Sequence, residues 1–210
     1  MNILEDLAAN VISGNAPRTE ELTQQALNEG IAPLEVLNKG LVAGMGVVGA
    51  KFKANEFYVP EVLIAARAMK AGMKHLRPKL AETGVQPVGR FIIGTVKGDL
   101  HDIGKNLVAM MIEGAGFEVI DLGVDVAPEK FSAVVREHKV EVVGLSALLT
   151  TTMVNMKQVI EKLKQDGLRD KIKVVVGGAP LTQSYADEIG ADGYAQDAAS
   201  AVDLVKSLIN

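Results

Sequence analysis

Phe91-Ile92-Ile93-Gly94-Thr95-Val96-Lys97-Gly98-Asp99-Leu100-His101-Asp102-Ile103-Gly104-Lys105 passes from an apolar, β-like run into a polar loop, and a helix-like run over residues 106–114 follows at once. A strand that ends in a loop and gives way to a helix is the opening unit of a parallel α/β sheet. Open sheets of this kind hold ligands at the carboxyl ends of their strands. The loop carries one of only three histidines in the chain, with Asp99 and Asp102 close on either side.

Downstream the alternation repeats. Apolar runs rich in β-branched residues occupy 119–122, 140–147, 172–176 and 193–196, with helix-like stretches near 128–138, 152–166, 181–190 and 197–209. Five strands alternating with helices predict a flavodoxin-like (Rossmann-type) doubly wound α/β domain with a five-stranded parallel sheet. In the order 2-1-3-4-5 the switch point lies between strands one and three. The loop after strand one therefore faces the loop after strand three, Ser146-Ala147-Leu148-Leu149-Thr150-Thr151-Thr152. Gly177-Gly178 ends strand four beside them.

Upstream the period changes to that of a helix. Ile3, Leu4, Leu7, Val11 and Ile12 share helical spacing and stop at Ser13-Gly14-Asn15. Pro17 opens a second helix in the first turn, where proline is tolerated, and Gly30 closes it. A third run from Pro33 carries Leu34, Leu37, Leu41, Val42, Met45 and Val48 on one face. Gly40, Gly44, Gly46 and Gly49 lie in it, each weakening a helix by about 1 kcal/mol relative to alanine, so close packing or the approach of something large is expected there. A fourth helix from Pro60 carries Val62, Leu63, Ala66, Met69, Met73, Leu76 and Leu80. Four helices with short connections predict an N-terminal four-helix bundle. The expected domains are a helical domain at 1–83, a linker at 84–88 (Gly84-Val85-Gln86-Pro87-Val88) and an α/β domain at 89–210.

Composition narrows the function. The net charge is −4. Residues 1–84 hold nine basic and nine acidic side chains, so the acidic excess falls on the α/β part, the reverse of what nucleic-acid binding needs. Cysteine is absent, which removes disulfides, thiolate metal sites and cysteine nucleophiles and fits a cytoplasmic protein. Glu5 and Asp6 interrupt the first apolar run, so no leader is expected, and no run is long enough to span a membrane. Tryptophan is missing, which weakens a stacking site for bases or sugars.

The histidine loop does not fit the commoner chemistries. Five residues separate Gly98 from Gly104, one too many for a phosphate loop, and Asn106 stands where serine or threonine would hold magnesium. A receiver domain needs an aspartate after strand three, where Ser146 stands. A hydrolytic zinc site needs several ligands, and His75 and His138 are expected as solvated surface residues. A lone histidine with a nearby carboxylate suits a single axial ligand to a metal that brings its own equatorial ligands, as in haem or a corrin. Asp99 would then fix the imidazole tautomer and raise its basicity.

Asp99-Leu100-His101-Asp102-Ile103-Gly104 matches the D-x-H-x-x-G signature of cobalamin-binding domains. Ser146-Ala147-Leu148 matches its S-x-L element, 45 residues after His101, and Gly177-Gly178 matches its G-G element, 31 residues after Ser146. In the helical part, Met45-Gly46-Val47-Val48-Gly49, Phe52, Glu56-Phe57-Tyr58-Val59-Pro60-Glu61-Val62 and Ala65-Ala66-Arg67-Ala68-Met69-Lys70 resemble the helical cap of methionine synthase and of methyltransferase corrinoid proteins. Over nearly its whole length the chain resembles the stand-alone corrinoid proteins that serve methanol, methylamine, methoxyaromatic or betaine methyltransferases.

That resemblance implies a corrinoid (cobalamin or a related cobamide) bound with its lower base displaced and His101 as axial ligand to cobalt. It implies Asp99 and Thr152 as partners in a hydrogen-bonded relay, Thr152 standing where methionine synthase has serine. It implies cofactor contacts at Gly98, Asp99, His101, Asp102, Ile103, Gly104, Ser146, Leu148, Thr150, Gly177 and Gly178, with Tyr58, Val59 and Val62 of the cap at the upper face. For Val59 and Val62, bundle core is the competing reading. Asp102 also suits a helix start, where the dipole favours an acid. The implied function is a methyl carrier: the corrinoid subunit of a methyltransferase system in anaerobic one-carbon metabolism rather than a stand-alone catalyst. Its partners would be a substrate-specific methyltransferase, an acceptor methyltransferase using a folate or a thiol, and a reductive activation protein. A cobalamin-dependent regulator would need a DNA-binding module, a mutase-type cobalamin subunit would lack the helical cap, and a flavin or nucleotide binding module would leave the three-part signature unexplained.

Overall fold

The computed structural model describes residues 2–209. They form two compact units, one running to residue 88 and taking in 113–116, the other made of 89–112 and the chain from 117 onward.

The first unit is helical. Helix α1 (Ile3–Ile12) begins in a capping box: Asn2 Oδ1 accepts the Leu4 N–H while Glu5 accepts the Asn2 N–H at 3.1 Å. Such reciprocal capping satisfies donors that a helix start leaves free. Helix α2 (Ala16–Asn28) is capped by Asn15, with Pro17 in its first turn. A third rod runs over residues 33–53, as α3 (Pro33–Glu35), a π-helical stretch Val36–Val42 and α4 (Ala43–Lys53). Helix α5 (Val59–Glu82) completes the bundle, packing along α2.

The glycines of the third rod are there for packing. A Cβ on Gly40 would lie 2.5 Å from Leu7 Cδ2, and one on Gly44 would lie 2.8 Å from Val11 Cβ. Gly46, by contrast, has open space. Three expectations need correction. The third helix is not α-helical throughout, because over seven residues apolar spacing does not separate the i→i+4 from the i→i+5 bonding of a π segment. Leu34 is 43 % exposed in the first turn of the rod, and Leu63 is 43 % exposed on α5, so neither belongs to the core.

The second unit is a five-stranded sheet in the order β2-β1-β3-β4-β5, every pair parallel: β1 (Arg90–Thr95), β2 (Glu118–Asp121), β3 (Val142–Ser146), β4 (Lys173–Gly177) and β5 (Gly193–Ala195). This is the expected flavodoxin-like order. Helices α6 (Ile103–Gly114), α7 (Pro128–Glu137), α8 (Thr150–Gln165), α9 (Gln183–Ile189) and α10 (Ala198–Ile209) connect and cover the strands. Strands covered on both faces read as continuous apolar runs, and Phe91, Ile92 and Ile93 of β1 are all buried. Thr95, Ser146, Gly177 and Ala195 pair in register as one row at the carboxyl edge of β1, β3, β4 and β5. The switch point therefore opens between the loops that follow Thr95 and Ser146.

Candidate functional site

Asp99 is the centre of that opening. It is fully buried, yet both carboxylate oxygens are used twice. Oδ1 accepts the His101 backbone N–H at 3.0 Å and faces His101 Nδ1 at 2.7 Å. Oδ2 accepts the Leu148 backbone N–H at 2.8 Å and the Thr152 hydroxyl at 2.6 Å. A buried charge is tolerated only when its hydrogen bonds are made. Burial pushes the Asp99 carboxyl up. The bonds from Thr152, the Leu148 and His101 amides and the His101 ring outweigh it and hold the group well below the usual carboxylate range. Asp99 is therefore an anion, and its acceptor at Nδ1 selects the tautomer with the proton on that nitrogen.

His101 Nε2 then carries the lone pair. It has no hydrogen bond among the described residues, and the side chain is half exposed. Exposed apolar side chains belong to the same strand ends, in the loops and at the start of α6: Leu100 at 71 %, Ile103 at 75 % and Leu148 at 43 %. Apolar exposure of this kind is informative where it clusters. A Cβ on Gly104 would meet nothing within 4 Å, so the first turn of α6 presents bare backbone. Gly178 is the opposite case. Its φ is +139°, and a Cβ there would lie 1.8 Å from the Ala147 carbonyl oxygen, so the loops after β3 and β4 touch backbone to backbone.

The expected site residues of the second unit converge on this edge. Ser146 and Gly177 lie in the row described above, Gly98 (φ +81°) precedes Asp99, and Thr150 is exposed at the start of α8. Asp102 is exposed at the start of α6, where its carbonyl accepts the Asn106 N–H and its carboxylate the Asn106 side chain at 3.1 Å. In the helical unit, Tyr58 is 63 % exposed, Val59 is half-buried and Val62 is fully buried. Val62 thus has no surface of its own to offer, as its bundle-core reading has it. His138 is exposed. His75 is not the solvated residue expected: its Nε2 lies 2.7 Å from Glu20 Oε1, and the ring is three-quarters buried.

Four supporting residues escape sequence reading. Thr95 Oγ1 donates to the His101 carbonyl at 2.8 Å. Asn155 Nδ2 donates to the Lys97 carbonyl at 2.7 Å. Asp125 Oδ1 accepts the Gly98 N–H at 2.7 Å. Lys105 is a buried ammonium whose Nζ donates to Asp121 at 2.5 Å and to Asn106 at 2.6 Å, tying the start of α6 to the end of β2. Apart from the Lys105–Asn106 bond, each spans residues of different elements or reaches a backbone group, so no motif marks it. The sole signal was Asp125 itself, an acid of the type that tolerates left-handed backbone in turns.

The donor set fits one kind of metal group. Among the described residues no cluster of three or more histidine and carboxylate side chains could hold a bare ion. A single imidazole with a free Nε2, beside open backbone and an apolar rim, suits a bulky macrocycle that supplies its own equatorial ligands.

Two family models, each described as a B12 binding domain, match residues 3–77 and 89–203. A corrinoid protein of Desulfitobacterium hafniense is 43 % identical over 212 residues, covering 100 % of this chain and 98 % of the relative. A trimethylamine corrinoid protein of Methanosarcina barkeri is 49 % identical over 193 residues, 91 % of this chain and 89 % of the relative. Among solved structures, a chain of the methanol:cobalamin methyltransferase complex of Methanosarcina barkeri superposes with a TM-score of 0.88 at 29 % identity, covering 99 % of this chain and 79 % of that one. A cobalamin-binding protein of Desulfitobacterium hafniense superposes with a TM-score of 0.81 at 31 % identity, covering 99 % and 98 %.

Proposed function

The chain belongs to the family of B12-binding corrinoid proteins, and on that premise we propose that it is a methyl carrier between two methyltransferases. One partner loads the methyl group from a substrate and the other passes it to a folate or thiol acceptor. A reductive activation protein restores the carrier when its cobalt is oxidised. The cobalt of a bound corrinoid supplies the chemistry, as a nucleophile that accepts a methyl group and later gives it up.

This chain's residues do the rest. His101 Nε2 would hold the cobalt of a bound corrinoid. Asp99 holds the ring through Nδ1 and fixes its tautomer. Thr152 donates to the other oxygen of the same carboxylate and completes the relay. Gly98, Ile103, Gly104, Ser146, Leu148, Thr150, Gly177 and Gly178 would hold the rest of the cofactor. On this reading residues 1–83 act as the cap domain, 84–88 as the linker and 89–210 as the cofactor-binding domain, in a cytoplasmic protein. No helix among the described residues is long and apolar enough to cross a membrane.

The observation that carries the proposal is the buried Asp99 carboxylate bonded at once to His101 Nδ1, Leu148 and Thr152, with His101 Nε2 left free. The test is reconstitution with hydroxocobalamin, removal of excess and an absorbance spectrum, followed by electron paramagnetic resonance of the cobalt(II) form. Retained corrinoid and hyperfine splitting from an imidazole nitrogen are expected, with the splitting lost in His101→Ala. A protein that retains no corrinoid, or an H101A variant with unchanged splitting, contradicts the proposal.

A further inference from the structure

Asp125 stands in the connection between β2 and α7 with a φ of +52°. Left-handed backbone is held freely by glycine, and aspartate and asparagine are the side chains that tolerate it. The carboxylate is exposed and packs no core. Glycine would serve that geometry at least as well, so the side chain invites a reason of its own.

Two hydrogen bonds supply one. Asp125 Oδ1 accepts the Gly98 N–H at 2.7 Å, and the Asp125 N–H donates to the Asp99 carbonyl at 3.0 Å. Together they clip the Gly98–Asp99 backbone from one side. The next residue, Val126, continues the clip: its N–H donates to the Thr95 carbonyl, and it forms an isolated parallel bridge with Val96. Asn155 holds the Lys97 carbonyl from α8. The turn 97–99 is thus gripped by two elements before it reaches His101. Asp99 then passes that placement on, since its Oδ1 holds both the N–H and the Nδ1 of His101.

We propose that Asp125 is a positioning residue for His101: its side-chain oxygen and left-handed backbone set the Gly98–Asp99 turn from which the imidazole projects. The proposal rests on the reading of His101 as the axial ligand. It adds a residue 24 positions away that acts on the imidazole through the Gly98–Asp99 backbone.

Two substitutions separate the acceptor from the backbone shape. Asp125→Gly keeps the left-handed turn without strain and removes the acceptor. Asp125→Asn keeps an oxygen at the same place and tolerates the same φ. In the cofactor-free protein, amide exchange at Gly98 is expected to speed up on the order of tenfold in D125G, the scale of one lost hydrogen bond, and to stay near the wild-type rate in D125N. In the reconstituted cobalt(II) protein, D125G is expected to show a second signal without imidazole splitting, and D125N the wild-type spectrum. Unchanged Gly98 exchange in D125G, or an undivided wild-type spectrum in D125G, overturns the positioning role while leaving the axial-ligand reading intact. Wild-type protein that shows no imidazole splitting overturns the axial-ligand reading itself, and the positioning role with it.

Discussion

Asp99 Oδ2 accepts the backbone N–H of Leu148 at 2.8 Å, although the two residues are 49 positions apart. One buried carboxylate thereby joins the histidine loop to the loop after β3. Whatever moves the imidazole is felt at the Ser146–Leu148 segment, and whatever occupies that segment is felt at the imidazole.

Removing the carboxylate should therefore cost more than one bond. Asp99→Ala leaves the Leu148 N–H and the Thr152 hydroxyl facing a buried void. The expected loss of stability is about 2–4 kcal/mol, the scale of breaking a buried charged hub with several partners. Urea unfolding of the cofactor-free variant measures it. A loss within experimental error of zero would show that the hub adds nothing to folding.

The pH dependence follows from the same group. Burial pushes the Asp99 carboxyl up, the four bonds pull it further down, and its folded value lies below the unfolded one of about 3.9. The stabilisation is then fully present above the unfolded value and is lost as pH falls below it toward the folded value. The stability difference between wild type and Asp99→Asn should stay flat from pH 7 to about pH 5 and shrink below about pH 4. Denaturant midpoints across that range decide it; a difference that shrinks already near neutral pH would assign the titration to another group.

Thr152 has one hydroxyl proton and two acceptors in reach, Asp99 Oδ2 at 2.6 Å and the Leu149 carbonyl at 3.0 Å. The nearer, charged acceptor takes it. Thr152→Val keeps the shape and loses the donor, so a destabilisation of about 1–3 kcal/mol is expected, as for a hydrogen bond to a charged group. Thr152→Ser should recover most of it. A loss in Thr152→Ser with none in Thr152→Val would place the effect in the missing methyl group instead.

Gly104 and Gly178 should respond to alanine in opposite ways. At Gly178 the new Cβ meets the Ala147 carbonyl oxygen, and the backbone there must yield. G178A is expected to destabilise the cofactor-free protein by several kcal/mol, on the order of other backbone-strain substitutions. At Gly104 the new methyl enters open space within a helix, where alanine is favoured by up to about 1 kcal/mol. G104A should therefore leave thermal stability unchanged or raised while weakening corrinoid retention. Undiminished retention would mean that the ligand does not approach the first turn of α6.

Much of this was legible in the residues. The alternation of apolar runs with helical stretches gave all five strands within two residues, because strands covered on both faces leave an unbroken apolar signal. The three loops of the site could be placed because a parallel sheet puts every such loop at one edge. Partnerships across elements were not legible. His75 looked solvated because Glu20 is 55 positions away. Asp125 left no mark because its acceptor role depends on the Gly98 amide, 27 positions away. The π-helical stretch at Val36–Val42 left no mark because its apolar residues point inward under either bonding pattern.

Lys105 is 2 % exposed and its ammonium is spent on Asp121 and Asn106. Most other lysines of the chain present their amines to water. A reagent that acylates free amines will label those and pass over Lys105 for as long as the first turn of α6 stays seated. Label at that one position, read by mass spectrometry, is then a clock for the opening of the histidine loop, and needs no spectroscopic signal from the cofactor.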